Sequence, residues 1–142
     1  DQPFTGERYV SDGTQCLYRG PDGERRIAAR KGLTLSQATL FTTSPFLFSD
    51  TDIGRFRAVE ERVNLSRYGC DCYAYALVAA GHGDIVVESG LQPYDVAGLI
   101  PVLEGAGAIV TDWNGNRPEQ GGNIVAAGCE AVHAEALELL RG

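Results

Sequence analysis

Residues 81–115 constrain this chain most. They read Gly-His-Gly-Asp-Ile-Val-Val-Glu-Ser-Gly-Leu-Gln-Pro-Tyr-Asp-Val-Ala-Gly-Leu-Ile-Pro-Val-Leu-Glu-Gly-Ala-Gly-Ala-Ile-Val-Thr-Asp-Trp-Asn-Gly. Asp84–Glu88 is a short apolar run with the character of a buried strand. Val96, Leu99, Ile100 and Leu103 repeat at helical spacing, and Ala108–Thr111 is a second apolar run. Strand, loop, helix and strand in that order imply a parallel α/β unit, whose chemistry gathers beyond the carboxyl ends of its strands. Two carboxylates fall there: Glu88 closes the strand and Asp95 opens the helix. Pro101 lies inside the helical pattern, where an interior proline costs ~3 kcal/mol unless the helix bends, so a kink is expected near Ala97. Gly105 and Gly107 are expected to end the helix.

Elsewhere the pattern divides in two. Over residues 1–35, turn signals at Thr5-Gly6, Asp12-Gly13 and Pro21-Asp22-Gly23 separate strand-like runs at Glu7–Val10, Thr14–Arg19 and Arg25–Ala28. This is the pattern of an antiparallel meander. Its strands are polar on both sides, which suits the trailing part of an incomplete N-terminal sheet. Residues 36–142 alternate strands with helices. Strands are expected at Ala38–Thr42, Asn64–Tyr68 and Asn123–Ala127. Ser44-Pro45 marks a helix start, and Asp50 or Asp52 a helix running through Val63. Glu130–Leu140 is expected to be a closing helix. Cys72–Ala80 reads as an amphipathic helix with Tyr73, Ala76, Leu77 and Ala80 on one face and Asp71 as its N-cap. The fold class is therefore α/β, or α+β taken whole. A mostly parallel or mixed C-terminal sheet is flanked by helices and preceded by antiparallel strands.

Composition narrows the function. With 142 residues and 44% hydrophobic content, the chain can bury one ordinary core. No apolar run approaches the ~20 residues of a membrane span. A net charge of −7 argues against a nucleic-acid partner, which calls for a basic face, and permits a cation site. The four cysteines, Cys16, Cys70, Cys72 and Cys129, contain no C-x-x-C pair, so buried thiols in a reducing compartment are expected, and zinc held by Cys70, Cys72 and His82 is disfavoured. His82 and His133 stand alone and are expected to be structural or exposed. Dinucleotide, P-loop, nucleophile-elbow and zinc-protease signatures are absent.

Each candidate acid has two readings. Asp95 is either an acid that satisfies free N–H groups at a helix start, or a hard-oxygen metal ligand or base. Glu88 is either a surface acid past the sheet edge or a buried carboxylate with a partner or ligand. Asp71 reads first as a plain N-cap.

Three segments then form a pattern: Pro93-Tyr94-Asp95-Val96-Ala97-Gly98, Leu103-Glu104-Gly105-Ala106-Gly107 and Thr111-Asp112-Trp113-Asn114-Gly115. In order and spacing they resemble the C-terminal signature of the inositol monophosphatase family, W-D-x-A-A-G, E-A-G-G and T-D. Gly69–Gly81 resembles the family's preceding G-S/T-A-A helix. The likeness covers roughly residues 38–140. It implies an Mg²⁺-dependent phosphate-monoester hydrolase in which Asp95 binds the metal, helped to stay ionised by a helix start, and Glu88 contacts the alcohol part of the substrate. Asp71 falls where relatives place a small pocket residue, and Tyr94 replaces a tryptophan. Two acids around the alcohol suit a cationic substrate better than a neutral polyol. Tyr68-Gly-Cys-Asp-Cys-Tyr-Ala-Tyr-Ala-Leu and the opening Asp1–Arg8 are similar to the histidinol-phosphatase branch. Histidinol phosphate, in histidine biosynthesis, is thus the implied substrate, with inositol phosphate or a sugar phosphate as the alternative.

The family's D-P-x-D-G-T metal motif and an upstream glutamate are absent from this sequence. The resemblance therefore implies a C-terminal half, inactive when isolated. It is expected in the cytoplasm, either as a homodimer or paired with an N-terminal half, and an open sheet edge is expected to favour self-association.

Overall fold

A computed structural model describes residues 1–142. Three strands, β1 (Arg8–Ser11), β2 (Cys16–Gly20) and β3 (Gly23–Ile27), form the expected antiparallel meander. After them come β4 (Thr39–Thr42), α1 (Ile53–Glu60), β5 (Leu65–Tyr68), α2 (Cys72–Ala79), β6 (Ile85–Leu91), α3 (Pro93–Val96), α4 (Ile100–Gly105), β7 (Ile109–Asp112), β8 (Gly122–Ala127) and α5 (Glu130–Arg141). Ser44 caps a single 3₁₀ turn at Pro45–Leu47, its side chain accepting from the Phe46 amide. Helix α1 stops short of Val63.

The five-stranded sheet has the order β5-β4-β6-β8-β7 and is mixed. Strands β5, β4 and β6 run parallel, whereas β8 lies antiparallel to both β6 and β7. The parallel character inferred from alternation thus holds for one side only. A short link, not a helix, connects β7 to β8, and such links join antiparallel neighbours.

Side-chain alternation divides the core into two layers. Ile85, Val87, Val125 and Ala127 face one way, against Phe56 and Val59 of α1 and Val132, Ala136 and Leu140 of α5. Val86, Ile124, Ala126 and Val110 face the other way, against α2, α4 and the meander residues Cys16, Tyr18 and Ile27. The meander is therefore not a separate unit in its packing. Ala29 donates its amide to Ala106 O at 2.9 Å, Lys31 reaches the carbonyls of Gly107 and Gly128, and Arg30 forks onto buried Asp84. Tyr73 and Tyr18 both donate to Glu7, tying α2 to the start of the meander.

Three local expectations change. Helix α2 is not amphipathic: Ala74, Tyr75, Ala76, Val78 and Ala79 are all buried, because sheet, meander and α4 enclose it on several sides. The predicted kinked helix is two helices, α3 and α4, separated at Ala97–Leu99. Pro101 occupies the first turn of α4, where its missing N–H costs nothing. Only Cys16 and Cys129 are buried thiols. Cys70 and Cys72 are exposed, flanking Asp71 at the start of α2. His82 is exposed, whereas His133 is buried against Thr111 Oγ1. No grouping of three His, Cys, Asp or Glu side chains is close enough to bind a metal, so Cys70, Cys72 and His82 assemble no zinc site.

Candidate active site

Asp71, Glu88 and Asp95 line one cleft of about 410 Å³, together with Thr43, Leu47, Cys72, Tyr75, Leu91 and Tyr94. The cleft opens at the carboxyl ends of β4 and β6, on the face covered by α2. Each acid is placed by different local physics.

Glu88 is the last regular residue of β6 before a register shift against β8. The bulge at Ser89-Gly90 leaves backbone groups unpaired, and Asn123 Oδ1 takes both the Ser89 hydroxyl and the Gly90 amide. Bulges redirect side chains beside sites of this kind. Glu88 is only 3% exposed. Its Oε1 accepts from the Thr43 amide at 2.7 Å and the Thr43 hydroxyl at 2.8 Å, and Oε2 lies 3.5 Å from the Thr42 hydroxyl. Burial nevertheless raises its pKa above the usual carboxylate value. The threonine bonds pull it back, and the Asp71 charge adds to the rise. The surface-acid reading of Glu88 is thus replaced by that of a buried carboxylate held by donors from the last residue of β4 and the residue that follows it.

Asp71 occupies the N-cap position of α2, but its side chain caps nothing. Gly69, Cys70 and Asp71 all have positive φ, at 91°, 72° and 43°. A run of left-handed residues is costly outside glycine. Here it turns the chain so that the Asp71 carboxylate is exposed, with no protein partner.

Asp95 takes up its helix-start reading with one oxygen only. Its Oδ2 accepts from the Gln92 amide at 2.8 Å, closing a capping box, while Oδ1 has no protein donor. Helix α3 is a single four-residue turn, so its dipole adds little charge at Asp95, contrary to expectation.

Thr43 and Tyr75 were not singled out from the sequence. A signal for Thr43 existed, since Thr42-Thr43 closes a parallel strand where such sheets bind ligands. Tyr75 had no comparable signal in a helix of almost uniformly apolar residues. The donor set is hard oxygen, as magnesium prefers, but Asp95 Oδ1 is a single ligand. These residues fit a share of a magnesium coordination sphere, not a whole one.

The family model for the inositol monophosphatase family matches residues 1–141. The chain belongs to that family. It is 45% identical, over 99% of its length, to 42% of the bifunctional phosphatase IMPL2, chloroplastic, of Arabidopsis thaliana. It is 38% identical, over 81% of its length, to 44% of a histidinol-phosphatase from Chlorobaculum parvum. An inositol monophosphatase from Zymomonas mobilis superposes with a TM-score of 0.91 and 34% identity, over all of this chain and 56% of that one. The chain thus spans about half the length of these family members. Its mixed α/β architecture is the one seen in the Zymomonas protein. No helix is long and apolar enough to cross a membrane.

Proposed function

We propose that this chain carries the alcohol-recognising side of a magnesium-dependent phosphomonoesterase active site, with histidinol phosphate as the substrate. The observation that carries the reading is the convergence of Asp71, Glu88 and Asp95 on one cleft from three separate elements. Asp95 Oδ1 would hold the magnesium, which supplies charge neutralisation of the phosphate and activation of water in enzymes of this chemistry. Glu88, fixed by Thr42 and Thr43, and Asp71, fixed by its backbone, would accept hydrogen bonds from the leaving alcohol. Asp71 raises the Glu88 pKa, so the two acids already repel. A cationic group between them relieves that repulsion, whereas a neutral polyol does not. The named histidinol-phosphatase relative supports this choice.

Inositol phosphate is the second reading, favoured by the TM-score of 0.91 to an inositol monophosphatase. Asp71→Ala in the full-length polypeptide separates the two. Losing a charge-assisted hydrogen bond should lower kcat/KM for histidinol phosphate by about 10- to 100-fold, with little change for inositol 1-phosphate. Equal losses on both substrates would remove the cation argument. We also propose that the 142-residue chain alone is inactive, since Asp95 is the one carboxylate assigned to the metal and no group of three His, Cys, Asp or Glu side chains is placed to hold an ion. Turnover by the purified chain with no second polypeptide present would refute this.

A further inference from the structure

Tyr75 is 2% exposed, yet it lines the cleft beside Asp71, Cys72 and Glu88. Its hydroxyl is the one buried side-chain N or O atom in the chain with no hydrogen-bond partner. The other buried polar groups are satisfied: Trp113 Nε1 donates to Ile124 O, Asp84 takes both Arg30 and the Thr39 amide, and Thr42 reaches Glu88. Unpaired phenols are not a habit of this helix either, because Tyr73, two residues earlier, donates to Glu7 at 2.5 Å. An orphaned buried hydroxyl costs stability, and phenylalanine would fill the same volume without that cost. Its surroundings place it on the cleft side of α2. Burial above all, and then the nearby carboxylates of Glu88 and Asp95, both cleft residues, raise its pKa well above the usual value, so the phenol is neutral. A neutral phenol can donate, which no carboxylate at this site can do.

We propose that Tyr75 is a specificity-determining residue whose hydroxyl donates a hydrogen bond to an acceptor atom on the alcohol portion of the phosphate ester, while Asp71 and Glu88 accept from that same portion. The proposal rests on the phosphomonoesterase reading and narrows its substrate class. The favoured alcohol carries a group that both donates and accepts, such as a hydroxyl or an unprotonated imidazole. A bare ammonium engages the acids alone, and a plain phenyl ring engages neither. A site built to hydrogen-bond its ligand discriminates strongly against analogues lacking the matching atom.

The test compares wild type with Tyr75→Phe in the full-length polypeptide, on histidinol phosphate, inositol 1-phosphate and phenyl phosphate, together with thermal unfolding in the absence of substrate. The Tm of Tyr75→Phe should equal or exceed that of wild type, because no bond is lost in the free protein. KM for the better of the first two substrates should rise by about 3- to 10-fold, the value of one neutral hydrogen bond, with kcat and phenyl phosphate unchanged. A fall in Tm would mean that the hydroxyl is already satisfied without ligand, and would overturn the proposal. So would an equal KM change, or none, across all three esters. A wild-type protein that hydrolyses none of the three overturns the phosphomonoesterase reading itself, and this proposal with it.

Discussion

Gly105→Ala tests how the meander is held to the rest of the molecule. Gly105 is the last residue of α4, and its φ is not in the left-handed region, so conformation alone does not require glycine. By helix propensity, alanine would stabilise the helix by up to ~1 kcal/mol. The packing says otherwise. A Cβ at this position would lie 2.2 Å from Ser11 Oγ and 2.8 Å from Gln15 O. The Ser11 hydroxyl could swing away, giving up its 2.9 Å bond to Gln15 O. The Gln15 carbonyl cannot: it is backbone, and it leads directly into Cys16, which is 0% exposed. Helix and meander would have to part by roughly half an ångström, and overpacking of that kind costs ~1–3 kcal/mol. The lost hydrogen bond adds ~1 kcal/mol, so the net expectation is a loss of about 1–3 kcal/mol. Urea unfolding followed by fluorescence measures it, with Trp113 as the single tryptophan, 4% exposed in the native state. Gly98→Ala is the control. It has nothing within 4 Å and no positive φ, so it should lie within about ±0.5 kcal/mol of wild type. A Gly105→Ala protein as stable as wild type would refute the packing argument and leave helix propensity as the governing term.

Two further outcomes follow from the cleft. Asp71→Gly should raise stability by about 1 kcal/mol in urea titration, because glycine relieves the left-handed strain at φ 43°, while histidinol phosphate turnover falls with the carboxylate gone. Glu88→Gln should alter how stability depends on pH. With its pKa raised in the folded protein, Glu88 contributes fully below the ordinary carboxylate value, and that contribution is lost as pH rises through the folded value. The variant should therefore gain on wild type over that rise and hold the gain at neutral pH, whereas parallel pH profiles would show Glu88 to be unperturbed.

Much of this was legible because particular residues permit few alternatives. The turn pairs Asp12-Gly13 and Asp22-Gly23 announced the meander, and the apolar run at 85–87 announced the central strand with an acid at its carboxyl end. The direction of β8 was not legible, since alternation along Gly122–Ala127 is the same whichever way the strand runs. The buried face of α2 was misassigned because Cys-Tyr-Ala-Tyr-Ala-Leu-Val-Ala matches a helical apolar template in several registers at once. The site divides in the same way. Glu88 stood out as a charge closing an apolar strand, whereas Asp95 and Asp71 were readable first as acids at helix starts and became site candidates only through the family resemblance. Thr43 matters through its amide as much as its side chain, and an amide carries no sequence signal. Tyr75 matters because of what it fails to contact, which only three dimensions disclose.

The antiparallel placement of β8 also sets an order of assembly. Strand β6, which carries Glu88, is flanked on one side by β4 and on the other by β8, a strand that follows it by some thirty residues. Asn123, which holds the bulge after Glu88, belongs to β8 as well. The wall of the cleft therefore remains half-built until β8 has joined the sheet. A polypeptide interrupted after β7 would carry all three acids and still lack the strand that aims the most buried of them.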